Sequence, residues 1–317
     1  MLLRLALGCA LLIAGDARSE LLPVVNPGFE DVSGSAALFN EFSFGAPIGW
    51  QVYDDPAGLI GVGASSPYYV GTLGPQPDPM NPGGFIYFPA GAPEGERVAI
   101  AYNRAGSGGT GAYGLEQTLT GTPLRWNRRH TLRVEVGNIA SGPALSGEFF
   151  NLDGFPGYRI ELLAGGQVVA ADNSSLSGTI GEGEFATSTV VLTTWTDSEL
   201  GSLIGTDLGV RLVNPNEIDP TFPAADLEVD FDNVRLDVSP ALNGDFNFDG
   251  LVDAADFTVW RDGEGAAISG ADYLAWRDNY GATAPVELPA GAIPEPATGG
   301  SILLVLSVLP PSRRPPM

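Results

Sequence analysis

Carboxylates carry most of the chemistry this sequence offers, and they fall into two tight groups. Glu228, Asp230 and Asp232 alternate along ADLEVDFDNVRLDV, between Leu227, Val229 and Phe231. Such alternation lines one face of a strand with acids and the other with apolar side chains. Three acids on one strand face suit glycoside hydrolysis, as nucleophile, helper and proton donor, or metal binding. The second group is GDFNFDGLVDAAD. Counted from Asp245, oxygen-bearing side chains fall at positions one, three and five (Asp245, Asn247, Asp249) and again at nine and twelve (Asp253, Asp256). Gly250 supplies the sharp turn, Leu251 a backbone carbonyl, and Val252 an apolar plug. This spacing wraps one hard cation, so one Ca2+ is expected here.

Absences narrow the chemistry further. All fifteen basic residues are arginine, which excludes Schiff-base and lysine-nucleophile reactions. The one cysteine, Cys9, lies in the N-terminal apolar segment. The one histidine, His130 in RWNRRHTL, reads as an ordinary strand-edge residue. A His/Cys zinc site is ruled out, and no G-x-S-x-G elbow accompanies His130 to make a serine triad. With a net charge of −23 and a pI near 4.1, the chain has no basic patch for phosphates, so nucleic acid is not an expected partner. An acidic surface suits calcium, solubility and neutral polymers such as sugars.

These acids need a scaffold, and the pattern between Leu21 and Val238 is one of short alternating runs broken by Gly, Pro, Asn and Asp. Val98, Ile100 and Tyr102 share a face, as do Leu132, Val134 and Val136, and Leu208, Val210 and Leu212. YRIELLAGGQVVAAD reads as a hairpin turning at Ala-Gly-Gly. Many strands at this spacing predict a mainly β chain, a jelly-roll β-sandwich. In the last strand the apolar set Leu227, Val229, Phe231 resumes at Val234, Leu236, Val238, slipped by one position. A slip in a period-two pattern calls for a bulge at Asp232–Asn233.

The ends read as processing segments. MLLRLALGCALLIAGDARS has one positive charge at Arg4, then an apolar run and small residues, the order of an export signal over 1–19. The organisation expected is a sandwich over 20–238, a calcium module of two short helices over 240–281, a linker over 282–296 and a tail over 297–317. Within the module, ADFTVWRDG at 255–263 recurs as ADYLAWRDN at 271–279, whose own loop lacks the early ligand positions.

Several stretches resemble known families. The opening NPGFE and closing FDNVRL resemble the galactose-binding-like jelly roll of carbohydrate-binding modules, which implies a structural calcium clamped between first and last strands by Glu30 and Asp232. WQVYDDPAGLIG, GAPEGERVAI, FFNLDGFPGYRIELLAGG and EVDFDNVRL resemble the calcium-dependent Stig cyclases, which rearrange and cyclise terpenoid indoles. That resemblance implies an acid on the last strand, Asp230 or Asp232, with Phe155 as an aromatic wall and Tyr102 as a tyrosine partner. The 245–256 loop and its helix resemble a dockerin type I repeat, implying a cohesin-like protein partner. IPEPATGGSILLVLSVLPPSRRPPM resembles a PEP-CTERM sorting tail, implying transient membrane association, although its apolar run is shorter than the roughly 20 residues a bilayer needs.

Together these features favour an exported, non-catalytic protein of the cell surface or extracellular matrix that binds a glycan or matrix polymer. Trp50, Tyr53, Tyr68 and Tyr69 are the aromatics placed to stack on sugars. The alternatives are a calcium-dependent enzyme on the same sandwich, cyclase-like or glycosidase-like, and a dockerin-borne assembly component.

Overall fold

The computed structural model describes residues 19–55, 68–104, 111–195, 199–263 and 270–283. Nearly all of the expected 1–19 signal, most of the expected 282–296 linker and the expected 297–317 tail therefore lie outside the described residues. The strands are β1 (Glu20–Leu21), β2 (Ala37–Phe39), β3 (Phe42–Phe44), β4 (Gln51–Asp55), β5 (Tyr68–Leu73), β6 (Val98–Asn103), β7 (Ala112–Pro123) and β8 (Arg128–Asn138). They continue as β9 (Gly142–Pro143), β10 (Phe149–Phe150), β11 (Arg159–Ala164), β12 (Gln167–Asn173), β13 (Glu184–Thr194), β14 (Asp207–Asn214) and β15 (Leu227–Pro240). Two short helices follow, α1 (Ala254–Gly263) and α2 (Gly270–Asn279). No helix among the described residues is long and apolar enough to cross a membrane.

The strands form two main sheets. One has the order β13-β8-β15-β6-β5-β3-β2, with β1 added on β15; the other is β12-β11-β14-β7-β4; β9 and β10 form a separate hairpin. First and last strands are antiparallel neighbours, with Glu20 opposite Val238. The apolar sets read from the sequence meet between the sheets. Leu132, Val134 and Val136 of β8 and Val229 and Phe231 of β15 pack with Ile160 and Leu162 of β11 and Val210 and Leu212 of β14. Each such aliphatic side chain contributes about 1.5–3 kcal/mol by leaving water.

The slip in β15 is a real irregularity. Its register against β8 shifts between Asp232 and Arg235, and Asn233 takes a positive φ of 49°. The extra residue returns Val234 and Leu236 to the same core as Val229 and Phe231. The β11–β12 hairpin turns on Gly165 and Gly166, both at positive φ, as the Ala-Gly-Gly stretch predicts.

The outer faces of the two sheets differ, and this difference positions the site. On the smaller sheet the outward face is a charged ladder in which Arg211 pairs with Glu116 and Glu161, each at 2.9 Å. On the larger sheet the part of the outward face on β3, β5, β6 and the start of β15 is itself buried. The 85–92 segment and the β9–β10 hairpin fold over it and enclose a second apolar cluster that includes Phe42, Tyr69, Phe88, Ile100, Tyr102, Ile139 and Leu152. Because β15 is central, its outward residues Glu228 and Asp230 lie beneath this cover.

Two expectations change at this level. His130 is not on an edge: β8 runs between β13 and β15, His130 is buried, and burial lowers its pKa to about 4, leaving it neutral. Trp50 and Tyr69 are buried core residues, and Tyr53 lies under the Arg211 guanidinium, so these three do not form an exposed sugar platform.

Candidate active site

Beneath the β9–β10 hairpin, two small hollows share the walls Phe42, Tyr69 and Phe150. The inner one, about 10 Å³, is closed by Tyr87, Ile139, Leu152 and Glu228. The outer one, about 30 Å³, adds Phe39, Phe44, Tyr102, Arg104 and Glu148. Both are far smaller than common ligand pockets of about 300–1,000 Å³. The hairpin is held by the Leu145 N–H donating to Glu41 Oε1 at 2.8 Å, by the half-exposed Arg104–Glu148 pair at 3.3 Å and by Phe150 packed on Phe42 and Tyr102. A roomier hollow of about 610 Å³ lies beside Glu30, Pro75, Phe85 and Arg97, away from the buried acids.

Three strands bring the reactive groups together. Strand pairing sets Tyr102 of β6 opposite Glu228 of β15 and packs Tyr69 of β5 beside Tyr102, ring centroids 5.0 Å apart. The Tyr102 hydroxyl donates to Asp226 Oδ2 at 2.7 Å, and Arg104 also hydrogen-bonds this tyrosine. Burial first, and the Asp226 acceptor second, raise the Tyr102 pKa, so it works as a neutral hydroxyl. Glu228 is 5% exposed and its Oε1 has no hydrogen-bond partner among the described residues. Burial, then repulsion from Asp226, pushes its pKa up to about 8.

The residues singled out from the sequence divide between three places. Asp230 is fully buried and lines neither hollow; neither carboxyl oxygen has a partner among the described residues, and burial raises its pKa strongly. Phe155 packs beside Tyr158 on the inter-sheet core; the phenylalanine that walls the pocket is Phe150. Asp232 sits at the bulge in the middle of the strand, among carboxylates. Its Oδ2 accepts the Glu94 N–H at 2.7 Å, while Glu30 accepts the N–H groups of Glu96 and Arg97, both at 2.8 Å. Desolvation, reinforced by Glu94 and Glu30, pushes the Asp232 pKa up to about 8. A Cβ built on Gly28 would collide with the Glu94 carboxylate and lie 3.7 Å from Asp232 Oδ1, so this glycine opens the space the carboxylates occupy.

The acidic loop folds on itself. Gly250 takes φ 86° and donates its N–H to Asp245 Oδ2 at 2.8 Å, while Asp249 donates to Asp245 Oδ1 at 3.2 Å. Asp256 Oδ1 accepts the N–H groups of Phe246 and Asn247, and its Oδ2 that of Asp253. Val252 is fully buried, and Leu251 is exposed and bridges to Thr283. No group of three or more His, Cys, Asp or Glu among the described residues is already arranged to hold a metal. The repeated helices pack through their aromatics, with Phe257, Trp260, Tyr273 and Trp276 at centroid distances of 5.0–5.7 Å.

Asp226 and Phe150 were not among the site residues expected from sequence. Asp226 lies one residue before β15, where period-two alternation says nothing, and Phe150 belongs to a two-residue strand too short to carry a pattern.

Comparison with known proteins explains this arrangement. The HpiC1 cyclase family model (HpiC1-like) matches residues 20–237. A crystal structure of a cyclase from Fischerella sp. TAU is 37% identical, covering 71% of this chain and 99% of that one, with a TM-score of 0.55. The Stig cyclase Fisc from the same organism, in complex with (3Z)-3-(1-methyl-2-pyrrolidinylidene)-3H-indole, is 37% identical over 71% of this chain and 100% of that one, TM-score 0.56. Another cyclase structure, with 4-(1H-indol-3-yl)butan-2-one, is 37% identical over 70% and 98%, TM-score 0.55. No curated protein matches the sequence. These matches correct the expectation of a non-catalytic glycan-binding protein, and with it the carbohydrate-binding, dockerin and sorting-tail descriptors, which they do not support. The chain belongs to the HpiC1-like cyclase family.

Proposed function

We propose that this chain is a Stig cyclase-like enzyme that rearranges and cyclises an apolar, unsaturated indole under the β9–β10 hairpin. The observation that carries the reading is the Tyr102–Asp226 pair, 2.7 Å apart, set against a pocket walled by aromatic rings. Tyr69, Phe42 and Phe150 offer flat walls for an indole ring and its unsaturated chain. Tyr102, held by Asp226, delivers or receives a proton at the reacting carbon; the low-polarity walls keep water from capturing a cationic intermediate. The indole ligands of two relatives support the substrate class.

Calcium fits two places as a structural ion. The donor set at Glu30, Glu94 and Asp232 is all oxygen, its repelling carboxylates lift the Asp232 pKa, and Gly28 leaves room between them. The donor set of the 245–256 loop is Asp245, Asn247, Asp249, Asp253 and Asp256 with the Leu251 carbonyl. Burial, with Asp256 and Asp249 adding repulsion, pushes the Asp245 pKa up to about 6. A divalent ion bound there would neutralise that repulsion and brace the sandwich. The 1–19 segment supports a further proposal, that the cyclase is exported.

The direct test is incubation of the purified chain, with Ca2+, with an indole carrying a terpenoid chain, and analysis for isomeric cyclised products. Conversion that Tyr102→Phe and Asp226→Asn both abolish is expected. Unchanged substrate with the folded wild type would defeat the reading.

A further inference from the structure

One short stretch, Glu148 to Asn151, reaches both members of the Tyr102–Asp226 pair. Phe150 packs edge-on against the Tyr102 ring, centroids 5.9 Å apart at 90°. The Asn151 carbonyl accepts the Asp226 N–H at 2.8 Å and so fixes the backbone that carries this carboxylate. Glu148 Oε1 accepts from Arg104 Nη2 at 3.3 Å, and Arg104 donates in turn to the Tyr102 hydroxyl oxygen. Tyr102, Arg104, Glu148 and Phe150 all line the outer hollow. The Tyr102 oxygen therefore has two polar neighbours: it gives its hydrogen to Asp226 Oδ2 at 2.7 Å and accepts one from Arg104.

We propose that Arg104 is the positioning residue of this pair: anchored by Glu148 of the β9–β10 hairpin, its guanidinium aims the Tyr102 hydrogen at Asp226 and favours negative charge on the Tyr102 oxygen. This deepens the cyclase reading above and rests on it. As an ion pair, Arg104 and Glu148 contribute little to stability, because their side chains are 49% and 57% exposed. Their effect lies in direction and charge. A hydroxyl rotates to suit its partners, so a charged donor on the oxygen turns its hydrogen to the acceptor that remains, Asp226. A fixed cation beside the oxygen also stabilises charge that develops there as a proton leaves. Burial, then the Asp226 acceptor, raises the Tyr102 pKa, and the Arg104 hydrogen bond acts against both. Arg104 itself neither gives nor takes a proton, since a guanidinium stays charged throughout. Its planar fork supplies separate N–H groups for Glu148 and for Tyr102, which a single ammonium reproduces only in part.

The test uses the full chain with Ca2+ and a prenylated indole, comparing wild type, Arg104→Met, Arg104→Lys, Glu148→Gln and the double variant of Arg104→Met with Glu148→Gln. Arg104→Met is expected to lower kcat by about 10–100-fold, the size of one lost charge-assisted hydrogen bond, with KM little changed. Arg104→Lys should recover part of that loss. Glu148→Gln should lower kcat less, and the double variant should match Arg104→Met, because Glu148 acts only through Arg104. Independently of turnover, a fluorinated tyrosine placed at position 102 should shift its fluorine NMR signal in Arg104→Met and return toward the wild-type position in Arg104→Lys. Wild-type kcat in Arg104→Met, with Tyr102→Phe inactive, would overturn this proposal and leave the cyclase reading standing. A loss confined to KM would also overturn it, making Arg104 a substrate-binding group, as would an unmoved fluorine signal or losses that multiply in the double variant. A wild type inert toward prenylated indoles would remove the cyclase reading, and this assignment with it.

Discussion

Glu228 and Asp256 are both enclosed carboxyl side chains, 5% and 0% exposed, yet they are built for opposite work. Asp256 accepts three backbone N–H groups at 2.7–3.0 Å and ties the start of a loop to the start of a helix. Glu228 leaves Oε1 unpartnered in an aromatic hollow, where burial favours its protonated form. The same functional group becomes a structural anchor where donors converge on it and an acid where they are withheld. Asp232 falls between the two: it accepts N–H groups, but other carboxylates crowd it.

The largest effect that can break this contrast is on turnover. Tyr102→Phe and Asp226→Asn should each lower kcat by about 10²–10⁴-fold, measured as cyclised product formed, while circular dichroism stays unchanged. Comparable loss in Asp256→Ala would mean the loop and the pocket are not independent.

Asp256→Ala should instead act on stability. It leaves three part-buried N–H donors without their acceptor, at about 1–3 kcal/mol for each donor that water cannot reach. Hydrogen exchange should speed up across residues 245–256 and the helices, with the sandwich strands still protected. Exchange unchanged in that region would show that the N–H groups find other partners.

Calcium sharpens the middle case. If the Glu30–Glu94–Asp232 cluster or the 245–256 loop holds the ion, chelation should lower the melting temperature, by about 2.7 kcal/mol of stability lost from an ion present at 100 times its Kd. Asp232→Asn should reduce the response of the sandwich and Asp245→Asn that of the helical segment. A chelator with no effect on either variant or the wild type would remove calcium from both places.

A further effect is linkage at Glu228. Its folded pKa, raised from 4.5 to about 8, means the folded state holds a proton that the unfolded state has released. That contribution to stability is fully present below pH about 4.5 and is lost as pH rises through about 8. Wild-type melting temperature should therefore decline across this window, and Glu228→Gln should decline less. Parallel curves would place the Glu228 pKa near its ordinary value.

Much of the fold was legible because it rests on local pattern. Period-two alternation identified β6, β8, β11, β14 and β15 and the face each turns to the core. A one-residue slip located the bulge at Asp232–Asn233. Gly-Gly marked a hairpin, and a repeated ADxxxWRD phrase marked two helices that pack through their tryptophans. The acid-bearing face of the last strand was visible for the same reason. Alternation, however, shows only that two faces differ. It cannot tell an acid face turned to water from one roofed by a hairpin.

That decision belonged to the tertiary structure. The β9–β10 hairpin and the 85–92 segment, neither with a readable period, fold over the large sheet and turn Glu228 from a surface acid into a buried one. The same cover draws Tyr69 into a core where the sequence suggested an exposed sugar platform, and it brings Phe150 rather than Phe155 to the site. Tyr102 and Asp226, 124 positions apart in the chain, meet because β6 and β15 are neighbours. Residue types and spacing alone determined which groups could carry protons, excluding lysine and thiol chemistry and leaving one histidine. Burial and strand pairing decided which of those groups became an acid, because a carboxyl's proton affinity depends on the water and donors that the folded chain leaves around it.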